Sequence, residues 1–407
     1  MVKFLPADLL LRGGRVFGPD GSLRRADVLI EQDTIQAVGD GVDTDGSARV
    51  IDLTGKAVLP GLIDAHIHLT HGYDGAVEDR EAAQGVRSVS QGLRALRAGI
   101  TTVRELGSYR QVDIALRDAI RAGRVLGPRM LCAGTYLSIT GGHGHPKGRA
   151  ADGPVEARRA VREQLLAGAD LIKVMCSGGA ARADESPDAS QFTAEEINAI
   201  VDEAALAGRS VAAHAHPTRS IKWALTAGAY SIEHGTFLDD ECCDLLCEKG
   251  AFLVPTLNVY RSIADSPRWP HLRERAGFLH AHKLKTFRRA AERGAKWAVG
   301  SDASSFLPVE DFYKELEEIS HALEIEPAAV ILAASKGNAS LLGLDRLGEI
   351  TPGYLADLIV LDDGDPTSDL GALSHVRYTI TGGRVIDWAS LDAALGPDWV
   401  SLANGGR

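Results

Sequence analysis

Short apolar runs, each closed by a turn signal or followed by a stretch with helical periodicity, recur from residue 61 to residue 302. This alternation predicts βα units with strands over Gly61–Leu69, Thr101–Glu105, Arg129–Tyr136, Asp170–Cys176, Ser210–His216, Tyr230–Gly235, Phe252–Leu257 and Lys296–Asp302. The intervening segments have helix grammar. Thr193 and Glu196 have the spacing of a capping box, and Gly208 is a stop signal. Eight consecutive units predict a (β/α)8 barrel of the TIM type, an α/β fold. A doubly wound open sheet competes with it, but that fold would carry a Gly-rich phosphate turn after an early strand, and the sequence has none.

The chain ends read differently. Before residue 61 the apolar positions alternate over short spans such as Ala26–Glu31 and Thr34–Gly39, with a turn at Pro19, Asp20 and Gly21. The same texture returns at Ala356–Asp362 and Val376–Ile386. The expected organisation is a small β-sandwich built from residues 1–60 and 345–407, with the barrel of residues 61–344 inserted between its halves.

Charge then removes partner classes. A formal net charge of −11 over 407 residues argues against nucleic acid or an anionic membrane as the main partner, since both need a basic face. A small-molecule substrate is expected instead. The first residues lack the apolar core of a secretory leader, no run is long enough to span a membrane, and five cysteines show no paired metal spacing. The expectation is a cytoplasmic protein with reduced thiols, assembled as a homo-oligomer. Cys242, Cys243 and Cys247 fall in a helical segment and are expected to pack.

The barrel reading gathers the C-terminal strand ends on one face, and that is where donor side chains fall. His66 and His68, two apart, share a strand face. Lys173 lies on the fourth strand, His214 and His216 end the fifth, His234 ends the sixth and Asp302 the eighth. Imidazoles and a carboxylate without thiolates suit a divalent cation, with zinc first in line. Lys173 sits in an otherwise apolar strand, where burial lowers an ammonium pKa and frees the amine. A neutral amine can capture carbon dioxide as a carbamate, whose two oxygens can bridge two cations. Residue spacing does not choose between His214 and His216, because both point the same way.

With these residues in place the chain resembles the amidohydrolase superfamily, and more narrowly its imidazolonepropionase-like and prolidase-like branch. The resemblance spans nearly the full length. It rests on Pro60 to His68 at the first strand, Ala98 to Arg104 at the second, Ile172-Lys173-Val174, Glu233-His234-Gly235, Gly300-Ser301-Asp302, and the late run Ile350 to Asp362. It implies that His66, His68, carboxylated Lys173 and Asp302 hold one metal, and that Lys173, His214 and His234 hold a second, leaving His216 beside the substrate. It also implies hydrolysis by a water shared between the metals, with Asp302 moving the proton to the leaving amine. His143, in a Gly-Gly-His-Gly loop, would meet the substrate carbonyl, with His145 as a further candidate. Tyr260 would contact a substrate carboxylate, and Arg182 is a candidate charge partner.

The expected reaction is cleavage of an amide bond in a dipeptide or N-acyl amino acid. Hydrolysis of a cyclic amide, carbamate, urea-type compound or ester is the alternative within the same chemistry. Deamination fits less well: superfamily deaminases typically use one metal, lack the lysine and place a Glu three residues after the strand-five His, where this chain has Pro217 and Arg219. A metal-free, non-enzymatic scaffold is the alternative of a different class.

Overall fold

The computed structural model describes residues 8–44, 46–71, 81–145, 147–179 and 185–396. The chain opens with five strands, β1 (Leu9–Phe17), β2 (Leu23–Glu31), β3 (Thr34–Gly39), β4 (Arg49–Asp52) and β5 (Ala57–Pro60). Strand β2 shows why they form: Arg24 and Arg25 stay exposed at one end while Val28 and Ile30 are fully buried. The turn at Gly21, with φ at +79°, returns the chain so that Phe17 lies opposite Leu23.

The central strands follow as β6 (Leu62–Ile67), β7 (Ile100–Glu105), β8 (Arg129–Cys132), β9 (Leu137–Ser138), β10 (Arg149–Ala150), β11 (Ile172–Met175), β12 (Val211–Ala215), β13 (Ser231–His234), β14 (Phe252–Val254) and β15 (Lys296–Trp297). All eight expected strands are present, most of them shorter than predicted, and β9 and β10 are additional. Most are buried at every position, as parallel strands covered on both faces must be. Helices alternate with them. The helix Ala194–Leu206 opens on the predicted capping box, with Thr193 and Glu196 bonding reciprocally.

The parallel strands pair in two sheets, β6-β7-β8 and β10-β9-β11-β12-β13-β14-β15. The two sheets touch at two places, β8 against the residues leading into β11 and β6 against the segment after β15. Asp170 N donates to Cys132 O at 2.8 Å on one side, and Asp302 N donates to His66 O at 2.7 Å on the other. The eighth expected strand shrinks to two residues for a physical reason. The backbone after Trp297 turns against β6, a Cβ on Gly300 would sit 2.7 Å from His66 Cβ, and Asp302 takes a left-handed φ of +57°.

The C-terminal strands β16 (Leu358–Leu361), β17 (Val376–Thr381) and β18 (Arg384–Asp387) join the first five in one eight-stranded sheet, ordered β18-β17-β16-β5-β1-β2-β3 with β4 on β1. The two chain ends therefore pair as expected. An apolar cluster that includes Leu9, Val28, Ile30, Val58, Leu358 and Ile380 packs there, separately from the large cluster among the central strands and helices.

Two expectations need correction. Leu257 does not end a strand but starts the helix Leu257–Asp265, so Tyr260 sits on a helix rather than a loop. Cys242 and Cys243 pack as predicted, whereas Cys247 is exposed.

Candidate metal centre

The ends of β6, β11, β12 and β13 and the segment after β15 converge on a cavity of about 180 Å³, whose lining includes His66, His68, Lys173, His214, His234 and Asp302. A larger crevice of about 670 Å³, bordered by Arg117, Arg129 and Arg384, contains none of these side chains.

His66 near the end of β6 and His68 just past it each place Nε2 3.5 Å from the same oxygen, Asp302 Oδ1. Their Nδ1 atoms are engaged elsewhere. His66 Nδ1 meets Glu233 Oε2 at 2.8 Å, and His68 Nδ1 meets Gly107 O at 3.1 Å. Oxygen acceptors at Nδ1 fix the proton there and leave the Nε2 lone pairs facing Asp302. Glu233 is held in turn by Arg104, at 2.9 Å, and by the Ser231 hydroxyl, at 2.5 Å. The Arg104 guanidinium and the contact with His66 outweigh burial and hold the Glu233 carboxyl well below the usual range.

His234 repeats the pattern, with Nδ1 2.7 Å from Thr256 Oγ1. Lys283 Nζ donates to that hydroxyl at 3.1 Å and to Thr256 O at 2.9 Å. His216 Nδ1 meets Thr236 Oγ1 at 2.7 Å, and its Nε2 lies 3.3 Å from the Tyr260 hydroxyl. One donor atom from each of His214, His216 and His234 falls within 4.8 Å of the other two, and the same holds for His66, His234 and Asp302. His234 and Asp302 both take positive φ, at +72° and +57°, a strain found where the surroundings dictate a side chain's aim.

Burial decides the protonation states. It pushes His66, His214, His216 and His234 well below the ordinary imidazole value, so these rings are neutral and can act as ligands. Burial also brings the Lys173 ammonium down to about 8, against the pull of Glu233 and Asp302. Lys173 Nζ is buried without a hydrogen-bond partner, a costly arrangement for an amine left alone. Neutral imidazoles aimed at a carboxylate, next to an orphaned amine, are a donor set that fits divalent cations.

The substrate side is less uniform. His143 lines the cavity and stacks on His214 with ring centroids 4.6 Å apart. His145 is half-buried in the same loop and does not line the cavity. Tyr260 is buried on its helix with its hydroxyl toward His216. Arg182 lies outside the described residues. Sequence reasoning missed Glu233, Arg104, Thr256, Lys283 and Glu185. Glu233 and Arg104 left a signal, as charged residues inside apolar strands and within the motifs that carry the resemblance.

The sequence model of the amidohydrolase family matches residues 57–386. The chain belongs to the amidohydrolase family. It is 31% identical to ochratoxinase of Aspergillus niger over 94% of this chain and 86% of that protein. It is 28% identical to imidazolonepropionase of Salinispora arenicola over 87% and 90% of the two chains. Among solved structures it is similar to a Xaa-Pro dipeptidase with methionine bound in the active site, at 32% identity and a TM-score of 0.86, over 94% of this chain and all of that one. The amidohydrolase is therefore a hydrolase of mixed α/β structure whose fold neighbours are of the TIM-barrel type. Metal dependence is general in this family, and the histidine cluster could hold a metal ion.

Proposed function

We propose that this amidohydrolase is a binuclear metal-dependent hydrolase that cleaves the amide bond of a dipeptide or N-acyl amino acid. The observation that carries the reading is the meeting of His66 Nε2 and His68 Nε2 on one Asp302 oxygen beside the unpartnered Lys173 amine. His66, His68, carboxylated Lys173 and Asp302 would hold one ion, and Lys173, His214 and His234 the other. Zinc suits these donors. When bound, the two ions would supply an activated water and polarise the scissile carbonyl.

The chain's own residues do the rest. Asp302 accepts the proton of the attacking water and returns it to the leaving amine. In the metal-free chain burial raises its carboxyl pKa, against the lowering pull of His68 and Lys173. His143 meets the carbonyl oxygen from its loop, His216 holds the Tyr260 hydroxyl, and Tyr260 and Arg182 bind the substrate carboxylate. Residues 61–344 form the barrel that carries this site, and residues 1–60 with 345–407 the β-sandwich. The likeness to a Xaa-Pro dipeptidase favours a dipeptide. The likeness to imidazolonepropionase supports a second reading, a cyclic amide or related carbamate, urea-type compound or ester.

The test is a screen of the zinc-loaded protein against dipeptide and N-acyl amino acid libraries, with and without chelator. Chelator-sensitive turnover of a dipeptide or N-acyl amino acid is expected. Silence across both libraries with turnover of carbamates or lactams would favour the second reading.

A further inference from the structure

We infer that Glu185 is a positioning residue for His143, locking the ring over the metal pocket by a contact between two loops; the inference rests on the function proposed above. His143 comes from the loop after β9, and Glu185 from the segment after β11. Glu185 Oε2 lies 2.6 Å from His143 Nδ1, with the carboxylate side chain only 9% exposed. A carboxylate oxygen accepts, so Nδ1 carries a proton; Nε2 is the ring atom left for a substrate, and it donates to a carbonyl oxygen only when it is protonated as well, as an imidazolium held against the Glu185 carboxylate.

The surroundings are built to hold this pair. Gly179 N donates to the same Oε2 at 2.9 Å, and Arg275 donates to the Glu185 carbonyl at 2.5 Å from the helix Arg273–Glu292. Gln191 Oε1 accepts from His143 N at 2.8 Å, fixing the backbone from which the ring projects. Gly179 is also a spatial requirement, because a Cβ there would collide with the His143 ring. The other face of the ring stacks on His214. His143 is thus held between a carboxylate, a glycine and a metal-centre histidine, although its loop carries four glycines, Gly141, Gly142, Gly144 and Gly148, that would otherwise leave it free.

The signature of an action through His143 is non-additivity. His143→Ala is expected to lower kcat/KM about 100-fold, the scale for losing one group aimed at a developing oxyanion. Glu185→Ala should lower it at least about 10-fold, and Glu185→Gln, which keeps an acceptor at the same place, should recover most of that loss. The double variant His143→Ala, Glu185→Ala should be no slower than His143→Ala alone. Metal content and Tm, measured on the zinc-loaded full chain, should match the unsubstituted protein in the Gln variant.

The assay uses the dipeptide or N-acyl amino acid turned over in the screen. Multiplying losses in the double variant would overturn the inference, as would a silent Glu185→Ala beside an impaired His143→Ala, and either would leave the proposed function standing. Absence of turnover by the unsubstituted zinc-loaded chain would overturn the proposed function and this inference together.

Discussion

Replacing Lys173 with Met separates what the lysine costs from what it does. Lys173 is 1% exposed, its amine has no hydrogen-bond partner, and burial brings its pKa from 10.5 to about 8. That net shift already includes the attraction of Glu233 and Asp302. A drop of about 2.5 units corresponds to roughly 3 kcal/mol, at about 1.4 kcal/mol per unit. The sign follows from a depressed folded-state pKa on a base. Below pH 8 both folded and unfolded chains hold the proton, and the fold bears the whole penalty. Between pH 8 and 10.5 the folded chain sheds the proton first and the penalty fades. Methionine has a similar volume and no charge to desolvate. Metal-free Lys173→Met in carbon dioxide-free buffer should therefore be the more stable chain at pH 7, by about 3 kcal/mol or a few degrees in Tm. The advantage should disappear near pH 10.5, while hydrolysis and at least one of the two zinc equivalents are lost. Denaturation of both chains at pH 7 and pH 10.5 reads the difference. A variant no more stable than the parent at pH 7, or one that retains turnover, would refute the reasoning.

Other substitutions probe the groups around the ligands. Glu233→Gln leaves Arg104 buried beside a neutral amide and weakens the anchor on His66, so stability should fall by about 3 kcal/mol and zinc affinity about 10- to 100-fold, read by denaturation and chelator competition. Tyr260→Phe should raise KM about 10-fold or more with little change in kcat and no change in metal content, if its hydroxyl meets the substrate carboxylate. Chelation should abolish turnover and lower Tm, and zinc should restore both, with a stabilisation near 2.7 kcal/mol at about 100 times Kd.

The order of the parallel strands and the gathering of His66, His68, Lys173, His214, His234 and Asp302 around one cavity were legible in the sequence because both follow from local rules. An apolar run marks a buried strand wherever it lies, and His66 and His68 share a face by the two-residue period alone. What the local pattern could not supply is what holds those side chains. Glu233 reaches His66 across 167 residues and Glu185 reaches His143 across 42, contacts that exist only once the strands are neighbours. The different surroundings of His214 and His216 were equally hidden: His214 Nε2 lies 3.3 Å from Gly178 O, whereas His216 meets Thr236 and Tyr260. The predicted strand Phe252–Leu257 ran past Pro255, the stop signal that follows Val254 directly, and so overlapped the start of the helix that carries Tyr260. The eighth strand was overextended for a different reason. Its last residues leave the ladder to bring Asp302 back toward His66, which only the tertiary contact dictates.

The central claim is a two-metal centre, and metal analysis of the zinc-supplemented, desalted chain tests it most directly. The account predicts two equivalents of zinc per unsubstituted chain and at most one in Lys173→Met. One equivalent or less in the unsubstituted chain would contradict it.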